Sequence, residues 1–195
     1  MTGIVGIVLA AGRSSRAASV KALAKMEGES LVRRAVRRLR DAGVDEVVVA
    51  IGPPHGLRIA TELEGRAHLA WNAEPERGML SSLQTALDHP AAGAAAASLI
   101  LPVDHPRVRA ETVRALVDVW RSSGAERVRP THDGRPGHPL LVAGDALALL
   151  RQASPEGSPR VLLHGWPSSA EVPVEDEGIL DDLDTAEALA SVGAS

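Results

Sequence analysis

Short continuous apolar runs recur along this chain, at 4–10, 46–51 and 98–103, and the stretches between them are patterned as amphipathic helices. A run without polar alternation suits a strand buried on both faces, as parallel strands are when helices cover the sheet on either side. Further strands are expected at 67–71, 125–130, 139–142 and 171–174. Ser30 reads as the N-cap of a helix ending at Gly43, and other helices are expected at 56–63, 79–87, 111–121, 145–150 and 185–191, with a short helical turn at 159–164. Residues 90–97, rich in Ala and Gly, read as a loop. Regular β–α alternation with short connections specifies the α/β class: a three-layer αβα sandwich on a mostly parallel, Rossmann-like sheet. A length of 195 residues suits one domain over 1–195.

Composition narrows the function. No cysteine is present, which excludes a disulfide framework, a thiolate metal site and a thiol nucleophile. Lys and Arg number 21 against 25 Asp and Glu, a balance that argues against nucleic acid as the main partner. Three tryptophans are the whole aromatic complement, too few for a base-stacking platform. The apolar run at 4–11 is too short to span a membrane and has no basic residue before it, so neither a membrane anchor nor a signal peptide is expected, and the location expected is cytoplasmic.

In open α/β sheets ligands bind beyond the carboxyl ends of the strands, so the loops at 12–21, 72–82 and 104–108 should share one edge and carry the chemistry. The first reads Leu9-Ala10-Ala11-Gly12-Arg13-Ser14-Ser15-Arg16, with Lys21 five residues on. Small residues let backbone N–H groups approach a polyphosphate, Arg16 offers a bidentate fork and Lys21 a compact charge. A tight turn with two solvated cations is the plain alternative. Asp104 follows an apolar strand directly and could hold Mg²⁺, a hard cation that prefers oxygen. It could equally cap the following helix. Gly78-Met79-Leu80-Ser81-Ser82-Leu83 brings a glycine and two hydroxyls to a helix start, either as contacts to a nucleotide or as ordinary capping. Gly137-His138-Pro139 marks a turn, and His105 is expected in loop packing. Asp182 and Asp184 are candidate second carboxylates, with helix capping as the alternative for Asp184. The arginines at 33, 34, 37, 38 and 40 read as a solvated helix face. Trp71 is core or borders the site.

Taken in order, these segments resemble the nucleotidyltransferases that activate the molybdenum cofactor. That family opens with L-A-[AG]-G-x-[SG]-x-R-M-G-x-x-K, matched from Leu9 to Lys21 except that Ala17 and Ala18 replace Met-Gly. Its G-M-x-x-S-L helix start is matched at 78–83, its D-x-P strand end at 104–106, its G-[HN]-P-V turn at 137–140 and its closing acidic segment at 182–188. The L-A-A-G form and the Gly-His-Pro turn look more like the cytidylyl-transferring branch.

The resemblance implies that Leu9, Ala10, Ala11, Gly12 and Arg13 line the nucleotide and that Arg16 and Lys21 act on the triphosphate. It further implies that Gly78 and Ser82 lie near the base, that Asp104 with Asp182 or Asp184 holds Mg²⁺, and that His138 is on the acceptor side. Arg16, Lys21 and Asp104 would be catalytic. The implied reaction moves a nucleotidyl group, with CTP favoured as donor, to a phosphorylated acceptor such as molybdopterin, and releases pyrophosphate; a molybdoenzyme would be a maturation partner. Alternatives are transfer to a sugar phosphate or another small phosphorylated metabolite, and a binder of nucleotide or cofactor that does no chemistry.

Overall fold

The computed structural model describes residues 3–12 and 20–183. Its elements run β1 (Ile4–Leu9), β2 (Lys25–Met26), β3 (Glu29–Ser30), α1 (Leu31–Asp41), β4 (Glu46–Ile51), α2 (Gly56–Leu63) and β5 (His68–Trp71). They continue with α3 (Met79–Leu87), α4 (Pro90–Gly93), β6 (Ala97–Pro102), α5 (Ala110–Ser123), β7 (Arg127–His132), β8 (Arg135–Pro136) and β9 (Leu140–Ala143). The last are α6 (Gly144–Gln152), α7 (Pro159–Leu162) and β10 (Ser169–Pro173). The main sheet is ordered β10-β7-β9-β6-β1-β4-β5, with β8 paired to β7.

Pairing across the centre is parallel: β1 lies between β4 and β6, with Ile7 opposite both Val48 and Ile100. The exception that matters is β9, antiparallel to β6 and β7, with Leu140 opposite Ile100. A strand running against its neighbours begins where they end. Its first residues, and His138 just before them, therefore lie at the carboxyl edge of the parallel strands.

Alternation along the strands divides the core in two. Val8, Val47, Val49, Leu99 and Leu101 face a layer built from α1, α2 and α5, while Val5, Ile7, Val48 and Ile100 face α3, α4 and α6. Helix α1 buries Leu31, Val32, Ala35, Val36 and Leu39, and burying a branched aliphatic side chain fully contributes about 1.5–3 kcal/mol. Gly6 allows this approach, because a Cβ there would meet Leu39 Cδ1 at 2.8 Å.

Local expectations needed four adjustments. Ser30 holds the N-cap position of α1 but makes no side-chain capping bond; its hydroxyl donates instead to Glu62 Oε1 at 2.8 Å. Residues 90–97 are not a loop throughout, since Pro90 at a helix start supports α4 and Ala97 opens β6. The arginine face is not uniformly solvated, since Arg34 is buried. Trp71 is not core: it is half exposed on the edge strand and lies over Gly56. The helix expected at 185–191 lies outside the described residues.

Candidate active site

The loop after β1 and the turn after β6 start one hydrogen bond apart, with Val103 N–H donating to the Leu9 carbonyl at 3.2 Å. Leu9, Ala10 and Ala11 are buried, and Leu9 packs into the core beside Leu80 and Leu83. What this segment can offer a ligand is therefore its backbone and the exposed Gly12. Arg13 and Arg16, with Ala17 and Ala18, lie outside the described residues.

Lys21 opens a single 3-10 turn, Lys21–Leu23, and its ammonium nitrogen stands 3.3 Å from Asp104 Oδ2. The other carboxylate oxygen, Oδ1, is 3.0 Å from His105 Nδ1. Burial pushes the Asp104 carboxyl up, but the hydrogen bond and charge of His105, together with Lys21, outweigh it and bring the pKa to about 2. The group is a carboxylate at any working pH. His105 is 4.5 Å, centroid to centroid, from His138, edge to face. The buried His138 Nδ1 has no hydrogen-bond partner. Burial, with a smaller contribution from His105, lowers the His138 pKa to about 4, so this imidazole is neutral.

Asp104 does not cap the next helix. That task falls to Asp176, buried at 3% exposure, whose Oδ2 accepts from Arg109 N–H at 2.9 Å and Thr112 hydroxyl at 2.6 Å. Its Oδ1 accepts from Gly178 N–H at 3.1 Å. Residues 175–183, which follow β10, thereby become a strap across the carboxyl edge. The strap's Ile179 carbonyl accepts from His138 N–H at 3.0 Å, and its Leu183 N–H donates to the Asp104 carbonyl at 3.1 Å. Gly137 is required under it, since a Cβ there would stand 2.3 Å from the Ile179 oxygen. Asp182 immediately precedes Leu183 and so enters the neighbourhood of Asp104; Asp184 lies outside the described residues. A cavity of about 480 Å³, lined by Arg107, Arg109, His132, Asp176 and Asp181 among others, opens between the strap and the start of α5.

Gly78 enters α3 at φ +123°, a conformation open to glycine. Asn72, buried at the end of β5, donates through Nδ2 to Ser81 Oγ at 3.0 Å and Ser82 Oγ at 2.9 Å, and its Oδ1 accepts from Glu74 N–H. The Ser81 hydroxyl in turn donates to the Gly78 carbonyl at 2.8 Å.

The fold thus brings Lys21, Asp104, His105 and His138 into one array, with Gly12 on the next loop and Ser82 on the far side of Asn72. Sequence reasoning overlooked Asp176, Arg34 and Asn72. Only Asn72 carried a signal, its place directly after a strand at the ligand edge. Among the described residues no group of three or more His, Asp or Glu could by itself hold a metal ion. The donor chemistry nevertheless suits a hard divalent cation. A single ionised carboxylate at a cleft fits an ion such as Mg²⁺, which keeps waters and takes most of its remaining ligands from substrate phosphates.

Comparison with known proteins identifies a family. A family described as the MobA-like NTP transferase domain matches residues 6–172. A protein of Rhodopirellula baltica named "Probable molybdenum cofactor guanylyltransferase" is 29% identical over 126 residues, which is 64% of this chain and 59% of that protein. Rv0371c of Mycobacterium tuberculosis H37Rv superposes with a TM-score of 0.83 at 26% identity, covering 100% of this chain and 98% of that one. A manganese complex of the same mycobacterial protein gives a TM-score of 0.79 at 23% identity and full coverage of both chains.

Proposed function

The chain belongs to the MobA-like NTP transferase domain family, and from that premise we propose that its carboxyl-edge array transfers a nucleotidyl group from an NTP to a small phosphorylated acceptor. The observation that carries the reading is the Lys21–Asp104 pair at the ends of adjacent loops. A phosphate monoester is already an anionic nucleophile near neutral pH, so attack on the α-phosphorus with loss of pyrophosphate needs no strong base. The protein's work is positioning and charge neutralisation.

Lys21, with Arg13 and Arg16, neutralises the triphosphate, and the backbone of Leu9, Ala10, Ala11 and Gly12 cradles it. Gly78 and Ser82 meet the base, and Asn72 accounts for the fixed position of the Ser82 hydroxyl. Asp104, with Asp182 or Asp184, would hold the divalent cation, which supplies charge stabilisation on the phosphate oxygens. Mg²⁺ is the first candidate, and the manganese complex of the mycobacterial neighbour makes Mn²⁺ the second. His138, held neutral by burial, is assigned to the acceptor side by its place at the carboxyl edge.

For the donor, the L-A-A-G form of the first loop and the Gly137-His138-Pro139 turn favour CTP, whereas the Rhodopirellula relative is named for guanylyl transfer. Molybdopterin is the acceptor to which the family points, and a molybdoenzyme in the cytoplasm would receive the product. Among the described residues no helix is long and apolar enough to cross a membrane.

The test is pyrophosphate release from CTP, GTP, ATP and UTP with molybdopterin, and separately with a sugar phosphate. Release with CTP and molybdopterin alone is expected; release with GTP instead moves the base assignment and leaves the reaction standing. Binding of NTP without release under any pairing returns the chain to a nucleotide binder.

A further inference from the structure

Arg34 stands apart from the other arginines of α1. Arg33 reaches Glu62 at 3.7 Å, and Arg37 bonds Glu29 and Asp41 on the exposed side. Arg34 instead turns inward, with its side chain 7% exposed. Its Nε donates to the Pro106 carbonyl at 2.9 Å, and its Nη1 meets Glu27 Oε2 at 2.9 Å. Glu27 occupies the tight turn between β2 and β3, at φ +52°. That hairpin follows the Lys21–Leu23 turn, and Leu31 N–H closes back on the Ala24 carbonyl at 2.9 Å. One guanidinium therefore bridges the two segments whose side chains meet as Lys21 and Asp104.

The turn carrying Asp104 is held at four backbone points, the first being Val103 N–H on the Leu9 carbonyl. His105 N–H donates to the Pro102 carbonyl at 3.2 Å, and the Asp104 carbonyl accepts from Leu183. The Pro106 carbonyl accepts from Arg34, which ties the turn to the hairpin that follows Lys21. We propose that Arg34 is a positioning residue for the transfer reaction: it sets the Asp104 carboxylate against Lys21 without touching substrate. The inference rests on the function proposed above. A planar fork with separate N–H groups can serve a carbonyl and a carboxylate at once, which the single nitrogen of lysine cannot reproduce in the same geometry. Misplacing a reacting group by about 1 Å costs on the order of a hundredfold in rate.

The experiment compares wild type with Arg34→Gln, Arg34→Lys and, as a control on the same helix, Arg33→Gln. Turnover and NTP KM are measured by pyrophosphate release, and Mn²⁺ affinity by electron paramagnetic resonance on protein whose folded fraction is known from circular dichroism. Arg34→Gln is expected to lower kcat about 10- to 100-fold with NTP KM within about twofold, and to weaken Mn²⁺ binding by at least about fivefold per folded molecule. Arg34→Lys should recover folding but only part of kcat, and Arg33→Gln should match wild type. Unchanged kcat and Mn²⁺ affinity in folded Arg34→Gln overturns the role, as does a loss that tracks only the unfolded fraction. Wild type that binds Mn²⁺ but turns over no NTP overturns the proposed reaction, and the Mn²⁺ affinities then decide Arg34 alone. Wild type that does neither overturns both.

Discussion

Lys21 and Asp104, 83 positions apart in sequence, meet as an ion pair at 3.3 Å. Lys21 closes the loop that follows β1 and Asp104 opens the one that follows β6, two strands that pair side by side in the sheet, so parallel order brings both loops to the same edge. Replacing Lys21 with Ala removes the ammonium from this pair while His105 still engages Asp104. The expected result is a fall in kcat of about a hundredfold or more, the scale of a lost preorganised electrostatic donor. Steady-state pyrophosphate release measures it.

Asn72 holds two serine hydroxyls at the start of α3. In Asn72→Ala both lose that donor, and the helix start is free to shift against a bound base. A fall of about tenfold in kcat/KM is expected, equivalent to one modest hydrogen bond, and Ser82→Ala should reproduce most of it. Kinetics across the four NTPs check this, because loss of a base contact changes the preference among them.

Asp176 satisfies two backbone N–H groups and a hydroxyl from a buried position. Asp176→Ala orphans those donors, at a cost of about 3 kcal/mol in unfolding free energy. Urea denaturation gives the value. Since the strap it anchors also contacts Asp104 and His138, the folded variant should lose activity as well.

His138 ties stability to pH. Its pKa is depressed from the usual imidazole value of 6.5 to about 4, so between these values the unfolded chain binds the proton and the folded chain does not. The contribution is fully present above pH 6.5 and is lost as pH falls through about 4. With its partial exposure the group accounts for roughly 2 kcal/mol. Denaturation of wild type and His138→Gln at pH 7.5 and pH 4 checks the sign: wild type should lose more stability on acidification than the variant.

The sequence was most informative where a signal is local. The α2 and α3 limits followed from periodicity bounded by glycine and by strand ends, and the central strands from unbroken apolar runs. It was silent where a role depends on a distant partner. Arg34 is chemically identical to Arg33 and Arg37, and only a backbone carbonyl 72 positions away separates it from them. Asp176 resembles any acid of a polar strap until the start of α5 arrives beside it. The β2–β3 hairpin has two residues per strand, too few to show a period. For Asp104 the alternatives of cap and ligand carboxylate were equal in the sequence. The capping alternative fell once Asp176 was found at the start of α5, and Lys21 stands at the Asp104 carboxylate.

The most direct test of the central claim is NTP-dependent pyrophosphate release by wild type beside Asp104→Asn, a nearly isosteric change that removes the charge. With the donor base and acceptor fixed by the NTP panel, the account predicts turnover by wild type that falls by at least about a hundredfold in the variant, while both remain folded. Wild-type turnover in Asp104→Asn would contradict it, and the chemistry would then belong to a different part of the chain.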